Sequence, residues 1–290
     1  MTERRYITVD VFTDQAFGGN PLAVVLDALG LDDALMLSIT REFGYSETTF
    51  VLPPKDPAHT AHVRIFTPGG ELPFAGHPNV GTAFVLATEG NGAPRVLFEE
   101  AAGLVPVEIL REGGKVVGAE LTAPQPLQRL QMVPIALAAS CLSLAATEIV
   151  TDTHEPVFAT VGTPFLLVEV ASREVLRRAK PDVAAYAEAK ARGIYLYTHD
   201  GGNGFDLHAR MFAPLGGIGE DPATGSATVT TAALLGDLGP DGERVLRIEQ
   251  GRDMGRPSTL LTRTIKQGSV VTSAHVGGSC VKMMQGLLHI

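Results

Sequence analysis

The chain repeats one arrangement of residues in its two halves. In the first half, the strand-like run HVRIFTP (62–68) leads through a short loop to FAGHPNVGTAFVLA (74–87). In the second half, LHARMFAP (207–214) leads through a short loop to DPATGSATVTTAALL (221–235). Each copy is a strand with Arg and Phe, then a proline, a turn that contains glycine, and a helix of small residues. We interpret the pattern as a pseudo-duplication, which predicts two similar α+β lobes with one central apolar helix each.

Capping residues and apolar spacing predict five helical segments, and runs of β-branched and aromatic residues predict strands between them. The predicted helices are residues 32–44, 79–90, 135–144, 173–193 with a break at Pro181, and 227–236. The stretch 122–134 contains three prolines and is predicted to be a linker that crosses between the halves.

The composition bounds the kinds of partner that we expect. Of the 290 residues, 45% are hydrophobic and 19% are charged, which suits two ordered domains of ordinary size. The net charge is −9 and no basic run exceeds a pair of arginines, which argues against a nucleic-acid partner. The sequence predicts neither a membrane span nor a signal peptide. With only two cysteines, Cys141 and Cys280, we expect a reducing, cytoplasmic setting.

The two turns that contain glycine are suited to hold an anion. A helix N-terminus leaves backbone N–H groups unpaired and carries about half a positive charge. Glycine lets a ligand approach those donors, and Pro78 suits the first helical position, where its missing N–H costs little. Two such helix starts, one per lobe, could face each other across a cleft and bind a carboxylate. The alternative is that both turns are closely packed helix entries without a ligand.

Four polar side chains near these turns are candidates for proton transfer or substrate binding. Glu47 lies in GYSETTFV (44–51), and a carboxylate in a partly apolar cleft has its pKa raised toward that of a general base or acid. His77 at a helix start is favoured in its neutral form by the helix dipole. Asp221 and Ser226 flank the second turn. The alternatives are structural: an exposed glutamate on an edge strand, a buried structural histidine, and two helix caps.

Nucleotide and metal motifs are absent from the sequence. GEDPATGS (219–226) lacks the lysine of a phosphate-binding loop, and Pro222 stands where a dinucleotide fingerprint needs its third glycine. His59 and His62 are three residues apart at the start of a strand, where their side chains would face opposite sides. Neither cysteine has a histidine or cysteine at ligand spacing. The sequence therefore predicts no metal ion and no nucleotide.

Four long motifs resemble the PhzF-like isomerase family of phenazine biosynthesis, in order and over nearly the whole chain. They are VDVFTDQAFGGNPLAVV (9–25), SETTFV (46–51), RIFTPGGELPFAGHPNVGTAFVL (64–86) and MFAPLGGIGEDPATGSATVTTAALL (211–235). The resemblance implies the fold of diaminopimelate epimerase, with two pseudo-symmetric lobes, each a β-sheet wrapped around a central helix. It also implies an active site between the lobes.

The resemblance assigns the chain to lobes and roles to residues. The N-terminal lobe would be residues 1–124 plus 279–290, because the last strand would return to it, and the C-terminal lobe would be residues 125–278. The polar site residues of the family match Glu47 as the proton-shuttling glutamate, His77 as a partner that holds substrate and manages protons, and Asp221 and Ser226 from the second lobe. The backbone positions where substrate can approach match Gly76 and Gly225.

A comparison of cysteines separates this chain from related epimerases. Diaminopimelate epimerase and its racemase relatives use two cysteines, one per lobe, as opposed acid and base. The matching turns carry Ala75 and Thr224 here, whereas Cys141 and Cys280 lie in a predicted helix and a predicted strand. A methyl or a hydroxyl group cannot replace a thiolate in removing a proton from carbon. Epimerisation by two thiols is therefore disfavoured. This argument does not disfavour a mechanism that uses one carboxylate.

The sequence and the resemblance together predict a cofactor-independent isomerase. It would move a proton between carbons of a small carboxylate-bearing metabolite, with Glu47 as general base and then acid. A dihydro-hydroxyanthranilate is one candidate substrate, although the shared motifs indicate mechanism more than ligand. The alternative is a non-catalytic metabolite-binding or interaction protein on the same fold. The resemblance also implies a homodimer, and two-fold dimers are the commonest oligomers.

Overall fold

The computed structural model describes residues 2–90, 93–200 and 202–290. The chain folds as two units, Met1–Pro124 with Gly277–Ile290, and Gln125–Val276. Both units combine many strands with a few helices, which confirms the α+β class. Within the described ranges, no helix is both long enough and apolar enough to cross a membrane.

The order of elements follows the chain from one unit to the other and back. The first unit contains β1 (Glu3–Val11), β2 (Asn20–Val25), α1 (Asp33–Phe43), β3 (Glu47–Leu52), β4 (Ala61–Thr67), β5 (Gly70–Leu72), α2 (Gly76–Glu89), β6 (Arg95–Glu100), β7 (Gly103–Glu112) and β8 (Lys115–Thr122). The second contains β9 (Gln128–Met132), α3 (Ile135–Cys141), β10 (Ile149–Val150), β11 (Val157–Thr160), β12 (Phe165–Val170), α4 (Arg173–Arg178), α5 (Val183–Ala189), β13 (Ile194–Thr198), β14 (Leu207–Ala213), β15 (Ile218–Asp221), α6 (Gly225–Leu238), β16 (Gly242–Gln250) and β17 (Ser258–Gln267). The last strand, β18 (Val270–His289), begins in the second unit and ends in the first.

The strands of the first unit close into a barrel. Strand β3 runs parallel to β2, β2 is antiparallel to β1, and β1 is antiparallel to β18. Strand β18 pairs with β8, and β8, β7 and β6 form an antiparallel run. Strand β6 is parallel to β4, which returns to β3. Closure leaves β3 with a partner on both sides, so Glu47 does not lie on an edge strand.

Helix α2 packs against this barrel along nearly its whole length. It contacts β1, β2, β3, β7 and β8, and residues 76–85 are all buried. The small residues of the helix allow this close approach. A Cβ atom on Gly81 would lie 2.6 Å from Leu22 Cδ2 and 2.8 Å from Val11 Cγ2, so a larger residue there would have to displace these side chains of β1 and β2.

The second unit has a mixed sheet and a similarly buried helix. Strand β12 is parallel to β13 and antiparallel to β11, while β14 is antiparallel to β13 and parallel to β16. Helix α6 contacts β11, β12, β16 and β17, and every residue from Gly225 to Gly236 is buried. On the opposite side of this sheet, α3, α4 and α5 pack over a second apolar cluster that includes Leu196 and Phe212.

Local signals predicted some element boundaries well and others poorly. Helix α1 begins after Asp32, whose side chain accepts a hydrogen bond from the Leu35 N–H, and ends at Gly44 with φ of 66°. The predicted break at Pro181 is confirmed, because α4 and α5 end and begin on either side of it. The predicted linker 122–134 was partly wrong, since β9 lies within it and pairs with β11.

Candidate functional site

Glu47 is the first residue of β3 and its side chain is buried. The residue is 9% exposed, which makes the alternative of an exposed glutamate on an edge strand wrong. Its backbone lies beside Leu22 of β2, and the next residue, Thr48, lies beside Phe66 of β4. A carboxylate is thus held inside the first unit by strands on both sides.

His77 is the second residue of α2 and lies next to this carboxylate. Its ring is buried, and Nε2 lies 3.6 Å from Oε2 of Glu47, slightly beyond hydrogen-bond distance. The structure therefore brings together two of the four polar residues that the sequence analysis selected, from positions thirty residues apart in the chain.

Asn20 fixes which nitrogen of His77 carries the proton. Asn20 Nδ2 lies 3.2 Å from His77 Nδ1, and an amide nitrogen can only donate. The amide is oriented in turn by Ser46, whose hydroxyl donates to Asn20 Oδ1 at 3.1 Å. His77 Nδ1 is therefore the acceptor, so the proton of the neutral ring lies on Nε2. That N–H is directed toward Glu47.

Burial keeps His77 neutral. Loss of solvation lowers the pKa of His77 from 6.5 to about 3. A neutral imidazole can accept one hydrogen bond and donate another, so Nδ1 accepts from Asn20 while the Nε2–H group lies 3.6 Å from the Glu47 carboxyl group. At neutral pH the Glu47–His77 contact is therefore a directed N–H group facing a carboxyl group, not an ion pair.

This depressed pKa predicts a pH-dependent contribution to stability. Between about pH 3 and 6.5, the unfolded chain binds a proton at His77 that the folded chain does not, so the free energy of unfolding falls as the pH is lowered. The slope from this one group approaches about 1.4 kcal/mol per pH unit. In urea titrations between pH 4 and 7, the His77→Asn variant should lose stability less steeply than the original protein.

Exposed His289 provides the matched control for this measurement. Its side chain is 60% exposed, so His289→Asn should leave the slope of stability against pH unchanged. Equal slopes for the His77→Asn variant and the original protein would show that His77 is not held neutral by burial. The comparison uses slopes, so a uniform loss of stability in the variant does not affect it.

Asp221 and Ser226 lie at the start of α6 in the second unit. Asp221 ends β15 and is buried, and its Oδ2 atom accepts a hydrogen bond from the Thr224 hydroxyl. Thr224 is the residue that precedes the helix, and Ser226 is the second helical residue, also buried. The side chain of Thr224 itself makes no capping hydrogen bond to α6.

Gly76 and Gly225 are the first residues of α2 and α6. Both helices therefore begin before the predicted positions of 79 and 227, and Pro78 is the third helical residue, not the first. Proline is tolerated there because the N–H groups of the first turn have no partner within the helix. The residues that precede the two helices, Ala75 and Thr224, make no side-chain hydrogen bond to the first turn.

The turn that carries Asp221 is held by a segment that the sequence analysis did not select. Gln250 Oε1 accepts the Thr224 N–H at 3.0 Å, and Gln250 Nε2 donates to the Asp221 carbonyl at 2.8 Å. The Ser258 hydroxyl donates to the Pro222 carbonyl at 3.0 Å. A Cβ atom on Gly251 would lie 2.5 Å from that same carbonyl oxygen, so only glycine fits beneath the turn.

These supporting residues could be recognised only in part from the sequence. Asn20 lies within the motif GGNPLAVV (18–25), which contributes to the family resemblance but contains no ionisable group. Gln250 and Ser258 lie in QGRDMGRPS (250–258), where closely spaced glycines and a proline indicate a tight turn. The partners of both segments are distant in sequence, so spacing alone does not reveal them.

The described residues contain no group of three or more His, Cys, Asp or Glu side chains arranged to hold a metal ion. His59 instead contacts Glu99, with 2.8 Å between Nδ1 and Oε1, and His62 lies in β4. Burial raises the pKa of the Cys141 thiol to about 11 and raises that of Cys280 further. Both thiols are therefore protonated at neutral pH.

Comparison with known proteins gives a consistent family assignment. Residues 9–286 match the family described as phenazine biosynthesis-like protein, PhzC-PhzF. An uncharacterised isomerase of Mesorhizobium japonicum is 41% identical, with 100% of both chains covered. The trans-2,3-dihydro-3-hydroxyanthranilate isomerase of Pseudomonas aeruginosa is 33% identical, with 99% of both chains covered. A solved structure from Pseudomonas aeruginosa, named as a predicted epimerase, is 33% identical with a TM-score of 0.83 and 99% coverage of both chains. The chain therefore belongs to the phenazine biosynthesis-like family, and it is an isomerase.

Proposed function

We propose that this isomerase transfers a proton between two carbon atoms of a small carboxylate-bearing metabolite, without a cofactor. The observation that carries the proposal is the buried Glu47 carboxyl group with His77 Nε2 at 3.6 Å. A buried carboxyl group beside a neutral hydrogen-bond donor is suited to exchange protons with carbon, because water does not compete for it.

In the proposed mechanism Glu47 acts first as a base and then as an acid. The Glu47 carboxylate removes a proton from one carbon of the substrate, and the electrons of that C–H bond enter the conjugated system. The resulting carboxylic acid returns the proton to another carbon on the same face, which restores the carboxylate. The Nε2–H group of His77 stabilises the carboxylate whenever it is ionised and orients it between the two steps.

We further propose the finer architecture that the resemblance implies. The two units would be pseudo-symmetric lobes, each with its sheet wrapped around a central helix, α2 in one and α6 in the other. The active site would lie between the lobes, with Asp221 and Ser226 contacting the substrate. The starts of both helices, at Gly76 and Gly225, would bind its carboxylate group through backbone N–H groups.

A mechanism with two opposed thiols is not part of this proposal. Ala75 and Thr224 immediately precede α2 and α6, where the thiol-dependent relatives are expected to carry cysteine. Cys141 and Cys280 are buried elsewhere, and their raised pKa values leave little thiolate at neutral pH. We also propose that the protein is a homodimer and that it is located in the cytoplasm.

The first substrate to test is trans-2,3-dihydro-3-hydroxyanthranilate, which the name of the Pseudomonas aeruginosa relative supplies. The purified protein is incubated with this compound, and with a panel of other small cyclic carboxylates, in deuterium oxide. We expect the NMR signals of one substrate to be replaced by those of a product, and deuterium on the new carbon reports how far the proton held by Glu47 exchanges with solvent before it is returned. Uncatalysed exchange is measured in parallel without the protein and subtracted.

The same experiment separates the proposal from the non-catalytic alternative. Binding is measured for each compound by calorimetry under the same conditions. If at least one compound binds and no member of the panel exchanges or isomerises, the result would favour a metabolite-binding protein on the same fold. Isomerisation without any solvent deuterium, at low conversion, would instead indicate that the proton on Glu47 does not equilibrate with water.

A further inference from the structure

The second unit contains a cavity that the proposed function does not use. It has a volume of about 230 Å³ and lies among α4, β14 and β16. Its lining includes four arginines, Arg173, Arg177, Arg210 and Arg252, against three carboxylates. Guanidinium groups around a small cavity favour an anionic ligand where some of their donors are not already paired, because arginine donates several directed hydrogen bonds to oxyanions.

The cavity is lined by consecutive residues of β14 and of β16, including Glu249 and Gln250. Consecutive residues of a strand point to opposite faces, and β16 ends with Glu249 followed by Gln250. Gln250 hydrogen-bonds to the Asp221 turn, whereas Glu249 contacts His208 on β14. Arg210, two residues after His208, shares its face and is also part of the cavity lining. Because Gln250 also lines the cavity, a ligand there would lie beside the residue that supports the Asp221 turn.

The cavity lining includes a pair of side chains that are buried and in contact with each other. His208 and Glu249 are each 3% exposed, and His208 Nδ1 lies 2.9 Å from Glu249 Oε2. Burial alone would raise the pKa of Glu249, but Arg252 and His208 outweigh it, so the pKa is lowered and the group is a carboxylate. A carboxylate can only accept, so Nδ1 of His208 carries the proton and donates it.

The other nitrogen of His208 is then a hydrogen-bond acceptor without a partner. Burial, followed by the charge of Arg173, lowers the pKa of His208, so the ring is neutral at pH 7 and above. Nε2 therefore bears a lone pair, and it is a buried atom that contacts no donor in the described part of the chain. A buried acceptor of this kind calls for a ligand that brings an O–H or N–H group.

The arginines differ in how firmly the protein already holds them. Arg210 binds Glu220 through two hydrogen bonds of 2.8 Å and donates to carbonyl groups at the end of α4. Arg252 is bound to Glu249 in the same manner. Arg173 is 35% exposed and reaches Glu249 only at 3.5 Å, so most of its donors remain available to a ligand. The cavity lining thus contains two arginines that are already paired with carboxylates, Arg210 and Arg252, and one arginine with donors to spare, Arg173.

We propose that this cavity binds hydrogen phosphate. The dianion HPO₄²⁻ is the simple oxyanion that carries two negative charges and one O–H group at neutral pH. Its charged oxygens would accept from Arg173 and Arg252, and its P–OH group would donate to Nε2 of His208. Sulfate and a fully ionised phosphate ester have the same charge and lack the hydroxyl hydrogen, so they would leave the buried Nε2 atom unpaired.

The test is calorimetric titration of the full chain with inorganic phosphate, sodium sulfate and methyl phosphate at pH 8, where the ester is dianionic and has no O–H group. We expect one phosphate ion per chain, with sulfate and the ester each bound at least about tenfold more weakly. Arg173→Gln should weaken phosphate binding by about tenfold or more, because one charge-assisted contact is lost. No substrate of the proposed reaction is needed, so this result does not depend on that proposal.

Arg95→Gln is the matched control, because Arg95 is also surface-exposed and also reaches a carboxylate, that of Glu108, at 3.5 Å. This variant should bind phosphate as the original protein does. Three results would each overturn the proposal: no binding of phosphate, equal affinity for sulfate and phosphate, or equal loss of affinity in both variants. Thermal unfolding of each variant verifies that it is folded, which the exposure of both arginines favours.

Discussion

Replacing Glu47 with glutamine is expected to lower turnover of an identified substrate by about 10²- to 10⁴-fold, the range for loss of a general acid–base group. The glutamine side chain has nearly the same shape, and its amide oxygen could still accept from His77, so the local structure should be retained. An amide cannot remove a proton from carbon or return it. The loss should therefore appear in kcat, while substrate binding measured by calorimetry changes little.

Glu42→Gln provides the matched control for this variant. Glu42 lies on the exposed side of α1, so the same chemical change occurs there without touching a buried carboxyl group. We expect full activity from Glu42→Gln and unchanged thermal stability from both variants within a few degrees. Full activity of the Glu47→Gln protein would remove the carboxylate mechanism, because the proposed base would then be absent.

Gly251→Ala is expected to produce the largest loss of stability among the substitutions considered. The residue has φ of 77°, and a Cβ atom would lie 2.4 Å from the Arg256 carbonyl oxygen and 2.5 Å from that of Pro222. The left-handed backbone costs about 1–2 kcal/mol for alanine, and overpacking adds about 1–3 kcal/mol. Because both contacts are to backbone atoms, relief requires movement of the turn that carries Asp221. Urea denaturation measures the loss, and kcat/KM should fall with it.

Gly255→Ala separates the two causes of that loss. Gly255 has φ of 72°, close to that of Gly251, but nothing lies within 4 Å of the position of its Cβ atom. Alanine there should lower the free energy of unfolding only by the cost of the left-handed backbone, about 1–2 kcal/mol, and should leave activity intact. Equal destabilisation by the two substitutions would mean that the crowding beneath Pro222 contributes nothing to the stability of the turn.

Local chemistry explains which parts of the fold could be predicted from the sequence. Helix α1 is bounded by Asp32 and Gly44, which act within one turn of their own positions, so a short window contains the necessary information. The start of α2 was placed three residues too late because proline is compatible with every position of the first turn. Strand β9 was missed because all five of its residues are exposed, which leaves no apolar alternation to detect.

The residues of the candidate site also differ in whether a short stretch of sequence is enough to identify them. Glu47, His77, Asp221 and Ser226 were selected because charged or polar residues beside glycine turns are recognisable in a short motif. The support of those residues was not recognised, because it depends on contacts between remote segments. Asn20 lies 57 residues from His77, and no spacing rule connects an amide in one strand to a ring in a helix.

The protonated state of the two buried thiols makes the chain convenient for spectroscopy. Thiol-directed dyes and spin labels react with thiolate, and both native cysteines are protonated and shielded from solvent. A cysteine introduced at an exposed position of either unit would therefore be labelled selectively without removing Cys141 or Cys280. The protein offers an essentially silent background for fluorescence or electron-spin measurements during turnover.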